Sequence, residues 1–112
     1  MDEYFDCRDC TAEEILSLLY EKLPRLGRER RKRKMVYVGA TGDVAKRVRE
    51  HRITPDKVLF CALTAHRRVA AKVEWLAREQ GFNIGKVEWG GNGTNSFSRY
   101  VYAYKITKNS RQ

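Results

Sequence analysis

The chain has 112 residues, of which 42% are apolar and 33% charged, and 23 Lys and Arg against 14 Asp and Glu give a formal net charge of +9. A chain of about this size buries roughly two-thirds of its unfolded surface, so one domain can hold a core without metal or disulfide staples. No apolar run nears the ~20 residues a membrane span needs, no signal-type leader opens the sequence, and 11% aromatics with dense apolar runs exclude collagen, coiled coil and wholesale disorder.

Three cysteines without an export signal read as reduced thiols, and an intracellular location, cytoplasm or nucleus, is expected. The charge excess points to a polyanionic partner. Nucleic acid is the commoner such partner for a small basic domain.

Residues 1–10 are polar and mostly acidic, without a usable period. A helix is predicted from Thr11, because Thr11 and Glu14 have capping-box spacing and Ile15, Leu16, Leu18, Leu19 and Leu23 follow at helical intervals. Pro24 should kink or stop it. The run from Arg28 to Lys34 holds six cations in seven residues and should stay solvated and flexible unless a polyanion neutralises it. Met35–Val38 reads as a short strand ending at Gly39, and a helix is expected over about 43–51, burying Val44, Ala45 and Val48.

Pro55 and Asp56 turn the chain into the unbroken apolar run Val58–Leu63, which reads as a central strand covered on both faces. Residues 67–80 form a third helix with Val69, Ala70, Val73, Leu76 and Ala77 inward and Gly81 as its stop. Val87–Trp89, the glycine-rich 90–95 and Phe97–Ile106 read as strand, loop, strand. In the last strand Tyr100, Tyr102 and Tyr104 share one face and Val101 and Ala103 the other. The order predicts a single α+β domain, with helices flanking a small, mostly antiparallel sheet. Residues 1–34 would be an N-terminal helix plus basic linker, and 35–112 the core.

Chemistry concentrates around Tyr37. Alternation sends Val36 and Val38 to the core and Tyr37 to the opposite face, and Gly39 would permit a tight strand-to-helix turn. Arg47 and His51 are spaced i, i+4 and project from one side of their helix, so a phenol, a guanidinium and an imidazole would face one cleft. A guanidinium fork matches phosphate geometry. Glu74, one residue past Val73, borders the buried stripe of the third helix. A lone carboxylate beside Arg and Tyr suits one hard divalent cation that also touches a phosphate oxygen.

These residues resemble the GIY-YIG nuclease family. Tyr37-Val38-Gly39 is similar to its second signature strand, Arg47 to its helix arginine, His51 to the histidine or tyrosine one turn on, and Glu74 to its metal-binding glutamate. Asn83 is similar to the asparagine after that helix. The match covers residues 35–83 or so, close to half the chain. The resemblance implies a metal-dependent endonuclease that hydrolyses DNA phosphodiesters with one Mg²⁺ or Mn²⁺. A tyrosine would help activate water, Arg47 would stabilise phosphorane charge, and Glu74 would anchor the ion.

The family's first strand, Gly-Ile-Tyr, is missing ahead of Tyr37, whereas Arg99–Thr107 looks like it. A circular permutation of the core is therefore expected, with Tyr102 or Tyr104 approaching Tyr37. Ala40 stands where the family usually has Lys. The basic residues Arg28, Arg30, Arg31, Lys32, Arg33 and Lys34, directly before Tyr37, would track phosphates, and sequence specificity would call for a homodimer or another partner.

Plainer readings stand beside these. Tyr37 would also serve as a sheet-face aromatic, Arg47 and His51 as solvated helix residues, and Glu74 as an i+4 partner of Arg78. A silent GIY-YIG-like binding module or a structural RNA-binding protein would carry the same charge. Cys7-x-x-Cys10 has zinc-ligand spacing but lacks two further ligands, so free thiols are expected.

Overall fold

The computed structural model describes residues 4–84, 99–108 and 110. The expected strand at 87–89 and the glycine-rich loop lie outside them. Four strands, β1 (Phe5–Cys7), β2 (Val36–Thr41), β3 (Val58–Thr64) and β4 (Tyr100–Lys105), form one sheet in the order β1-β3-β4-β2. β1 runs parallel to β3, and the other pairs are antiparallel, so the sheet is mixed but mostly antiparallel. Among the described residues five α-helices accompany it: α1 (Ala12–Lys22), α2 (Pro24–Arg28), α3 (Arg30–Arg33), α4 (Val44–Glu50) and α5 (Arg67–Glu79).

Local chemistry accounts for the helix ends. The Glu14 amide donates to Thr11 Oγ1 at 3.1 Å while the Thr11 amide donates to the Glu14 carboxylate at 2.9 Å, which completes the expected capping box. Pro24 stops α1 and opens α2, because it needs no amide partner in a first turn. Asp43 caps α4 by accepting from the Lys46 amide at 3.1 Å. Gly81 leaves α5 at φ +98°, a left-handed conformation that favours glycine.

Alternation divides the strands between two apolar layers. Val36, Val38, Ala40, Phe60, Ala62, Val101 and Ala103 face α1 and α5, whose Ile15, Leu16, Leu19, Ala70, Val73 and Ala77 complete the larger core. Full burial of a side chain such as Ile15 contributes about 1.5–3 kcal/mol. The other face carries Tyr37, Cys61, Tyr102 and Tyr104 against Val44, Val48 and Ile53. α4 therefore lies across the sheet from α1 and α5. Among the described residues no helix is long and apolar enough to cross a membrane.

Several expectations are corrected. The acidic N-terminal stretch contains β1, whose residues Phe5, Asp6 and Cys7 pair with Ala62, Leu63 and Thr64. Gly39 lies inside β2, paired with Tyr102, and the turn falls later, at residues 42–43. β3 has a register shift between Val58 and Phe60, and Leu59 is 43% exposed, so the start of that strand is not covered on both faces.

The basic run is helical rather than an open linker. Arg33 donates to the Gln80 carbonyl at 2.6 Å and to the Leu26 carbonyl at 2.7 Å, which ties α3 to the end of α5. Lys32 pairs with Glu29 at 2.8 Å, and Leu26 is buried in the larger core.

Candidate active site

The site forms where β2 and β4 run side by side. Tyr37 faces Tyr104 and Gly39 faces Tyr102 across that ladder. The C-terminal strand is thus in register with the strand the sequence marked as reactive, and β4 lies between β2 and β3. Beyond β2, the Val38 amide donates to the Asn83 carbonyl at 2.9 Å and the Asn83 amide to the Val36 carbonyl at 3.0 Å, so Asn83 sits along the other edge of the same strand.

Four rings gather on the α4 side. The Tyr37 ring centroid lies 4.6 Å from that of His51, 5.2 Å from Tyr104 and 6.0 Å from Tyr102. His51 caps α4 and is buried, and its Nε2 shares a 2.6 Å hydrogen bond with the Tyr102 hydroxyl. The Tyr102 hydroxyl also donates toward the Tyr37 oxygen. Gly39 makes the gathering possible: a Cβ there would meet Tyr37 Cε1 at 2.7 Å and the Tyr102 ring and hydroxyl at 2.9 Å. Sequence reading missed this use of the glycine. The signal for it was its place two residues after Tyr37, on the same face of one strand.

Two charged groups complete the cluster. Arg47, one turn before His51, pairs with Glu50 at 3.2 Å, and its Nε is buried with no hydrogen-bond partner among the described residues. Glu74 is half-buried on α5, and among the described residues it forms no ion pair with Arg78. Burial pushes its carboxyl up to about 7, against the pull of the Arg47 charge. Burial also raises the Tyr37 phenol, the Glu74 carboxylate raises it further, and Arg47 and the Tyr102 hydrogen bond partly oppose them. The Tyr102 phenol is raised as well, by burial and then by Tyr37. Tyr37, Arg47 and Glu74, from three separate segments, therefore feel one another's charge.

The family resemblance implies that a tyrosine helps activate water. Raised phenols do not supply a tyrosinate, because burial disfavours the anion. What they do supply is hydrogen-bond donors and a path for a proton between Tyr37 and His51. The Arg47 charge acts on the same two phenols.

A hard divalent cation takes oxygen ligands and keeps several waters, so one carboxylate is a fitting protein ligand. A cation at Glu74 would provide the counter-charge that its half-buried position withholds. Among the described residues no group of three or more His, Cys, Asp or Glu is placed to hold a metal ion.

The other sequence candidates separate. Arg28 ends α2, Arg30, Arg31, Lys32 and Arg33 make up α3, and Lys34 follows exposed before β2. Arg33 serves the fold, as its two carbonyl partners show, and Arg30 packs over Gly81. Cys7 is buried and its thiol is pushed up to about 12 by burial, which makes it inert at neutral pH. Comparison of the chain with family models, with curated proteins and with solved structures finds no match.

Proposed function

We propose that the chain is a metal-dependent endonuclease of GIY-YIG type that hydrolyses phosphodiester bonds of DNA, built on a circularly permuted core. The observation that carries this reading is the gathering of Tyr37, Tyr102 and His51 beside Arg47 on the α4 side of the β2/β4 ladder, with the Glu74 carboxyl on α5 close enough for its charge to act on Tyr37 and to feel Arg47. The register of β4 beside β2 supports the permutation.

A phosphodiester entering the cleft meets the Arg47 guanidinium, which binds its non-bridging oxygens and stabilises the charge that grows on them during attack. Donors of this kind are worth about 2.7–4 kcal/mol each in comparable sites. Water attacks phosphorus, a new P–O bond forms and the ester bond to the leaving oxygen breaks. The water proton passes to the Tyr37 oxygen while the Tyr37 and Tyr102 hydroxyls, turning from the resting arrangement in which Tyr102 donates to Tyr37, pass one proton on to His51 Nε2, so no phenol has to be an anion beforehand. Glu74 would hold Mg²⁺ or Mn²⁺, which when bound polarises a phosphoryl oxygen as a Lewis acid. The exposed Arg28, Arg30 and Lys34 add salt-sensitive affinity for the backbone.

The test is cleavage of labelled duplex, branched and single-stranded DNA, with and without divalent ion. Mg²⁺-dependent cutting that is lost in Glu74→Ala and Arg47→Ala, with binding kept in Glu74→Ala, supports the reading. A second reading is a silent DNA-binding module on the same scaffold. The absence, among the described residues, of a three-ligand metal cluster favours it on the metal question. Tight binding with no cutting under either ion selects it, and preference for folded RNA with neither substitution having an effect selects a structural RNA-binding role.

A further inference from the structure

A concavity lies on the opposite side of the sheet from the tyrosines. It is a groove of about 750 Å³ walled by the end of α1, by α2 and by the start of β2. Its floor is aliphatic. Leu26 and Val36 belong to the helix-side core, and the apolar surface continues through Met35 and Leu59, which are 50% and 43% exposed. Its rim is cationic: Lys22, Arg25, Arg31, Lys32 and Lys105 surround the floor, and no acidic or aromatic side chain is among the lining residues.

We propose that this groove docks an acidic amphipathic segment of a partner protein, apolar side chains down and carboxylates against the rim. Met35 and Leu59, two exposed aliphatic side chains continuous with the core, give the groove an apolar floor that the apolar side chains of a partner would cover. Besides Lys32, which Glu29 already pairs, the rim cations Lys22, Arg25, Arg31 and Lys105 select an acidic partner and repel a basic one. Nucleic acid fits the floor badly. Bases bind by stacking on aromatic faces, which the lining lacks, and a phosphate backbone has no apolar side to cover Met35 and Leu59. An amphipathic helix laid in a groove satisfies both features at once. Since Val36 faces the helices and Tyr37 the opposite layer, the groove and the tyrosine cluster lie on opposite faces of the sheet. The proposal does not depend on whether that cluster cuts DNA.

The probe is a fluorescein-labelled helical peptide of Glu and Leu, about 14 residues long, with its leucines spaced i, i+3 and i+4. Binding to the full chain is followed by fluorescence anisotropy and by amide NMR spectra. Micromolar binding is expected, with shifts centred on Leu23, Leu26, Met35 and Leu59, and at least about a tenfold loss for Leu59→Ser or Met35→Ser. These two side chains are exposed, and the shifts in the unaltered protein locate the site whatever the variants do. Saturating DNA should leave the peptide bound. The proposal is overturned if the peptide does not bind, if its Leu→Ser analogue binds equally well (plain ion exchange), or if the shifts lie elsewhere. It is also overturned if an oligonucleotide displaces the peptide.

Discussion

His51 Nε2 and the Tyr102 hydroxyl lie 2.6 Å apart in the protein interior, joining the last residue of the α4 turn to the middle of the C-terminal strand. Both groups are buried, so this bond replaces water that neither can reach, and removing one partner leaves the other desolvated and unpaired. Tyr102→Phe should cost about 1–3 kcal/mol of stability. Because the same hydroxyl links Tyr37 to His51, the substitution should also lower DNA cleavage by about 100-fold, the low end for lost proton-transfer assistance. Thermal melts and single-turnover cleavage on one preparation separate the two effects. Unchanged cleavage in a folded Tyr102→Phe protein removes the proton path.

Gly39→Ala tests the packing of that path. The new methyl group would stand 2.7 Å from Tyr37 Cε1 and 2.9 Å from Tyr102, closer than van der Waals contact allows, so both rings must move. Overpacking of this kind costs about 1–3 kcal/mol. The variant should fold with a lower Tm and bind DNA through the remaining cations while cutting it far more slowly. Wild-type cleavage by Gly39→Ala would mean that ring placement is immaterial to turnover.

How much of this was legible from the residues follows the range of each interaction. The Thr11–Glu14 box and the row of tyrosines at 100, 102 and 104 depend on neighbours within one element, and both are as expected. β1 was not legible, because three residues show no period and its partner Ala62–Thr64 is remote in the chain. The fate of Arg33 was hidden for the same reason: one of its carbonyl acceptors lies 47 residues away. Among the candidate site residues, Tyr37, Arg47, His51 and Glu74 came from spacing within strands and helices. The choice between Tyr102 and Tyr104 as the hydroxyl that bonds Tyr37 and His51 needed the strand register.

Arg33 and Lys34 should part company in experiment, although they are adjacent cations. Arg33 makes two charge-assisted bonds to carbonyls, at 2.6 and 2.7 Å, so Arg33→Ala should destabilise the fold by about 2 kcal/mol. Lys34 is exposed. Lys34→Ala should leave Tm unchanged, weaken DNA binding across all sequences, and reduce the slope of log affinity against log salt by about 1. Salt titrations and melts of both variants check the division. If Lys34→Ala leaves the salt slope intact, that residue makes no phosphate contact.

Glu74 gives the fold a pH dependence whose sign can be worked out. Its carboxyl titrates at about 7 when folded, because burial outweighs the pull of Arg47, against 4.5 as the ordinary value. The native state therefore holds this proton more tightly than the unfolded chain. Below pH 4.5 both states are protonated and the group costs nothing. Between pH 4.5 and 7 the unfolded chain gives up this proton while the native state keeps it, so stability is lost across that window and levels off above 7, where the native carboxyl too is ionised in its half-buried place. Glu74→Gln should therefore match the wild type near pH 4 and be more stable near pH 8, by on the order of 2 kcal/mol once partial solvent exposure is allowed for. The comparison is made in chelator. Mg²⁺ at pH 8 should then raise the Tm of the wild type and leave that of Glu74→Gln alone, since a ligand stabilises only the state that binds it. Equal Mg²⁺ responses in the two proteins would place any bound ion elsewhere than Glu74.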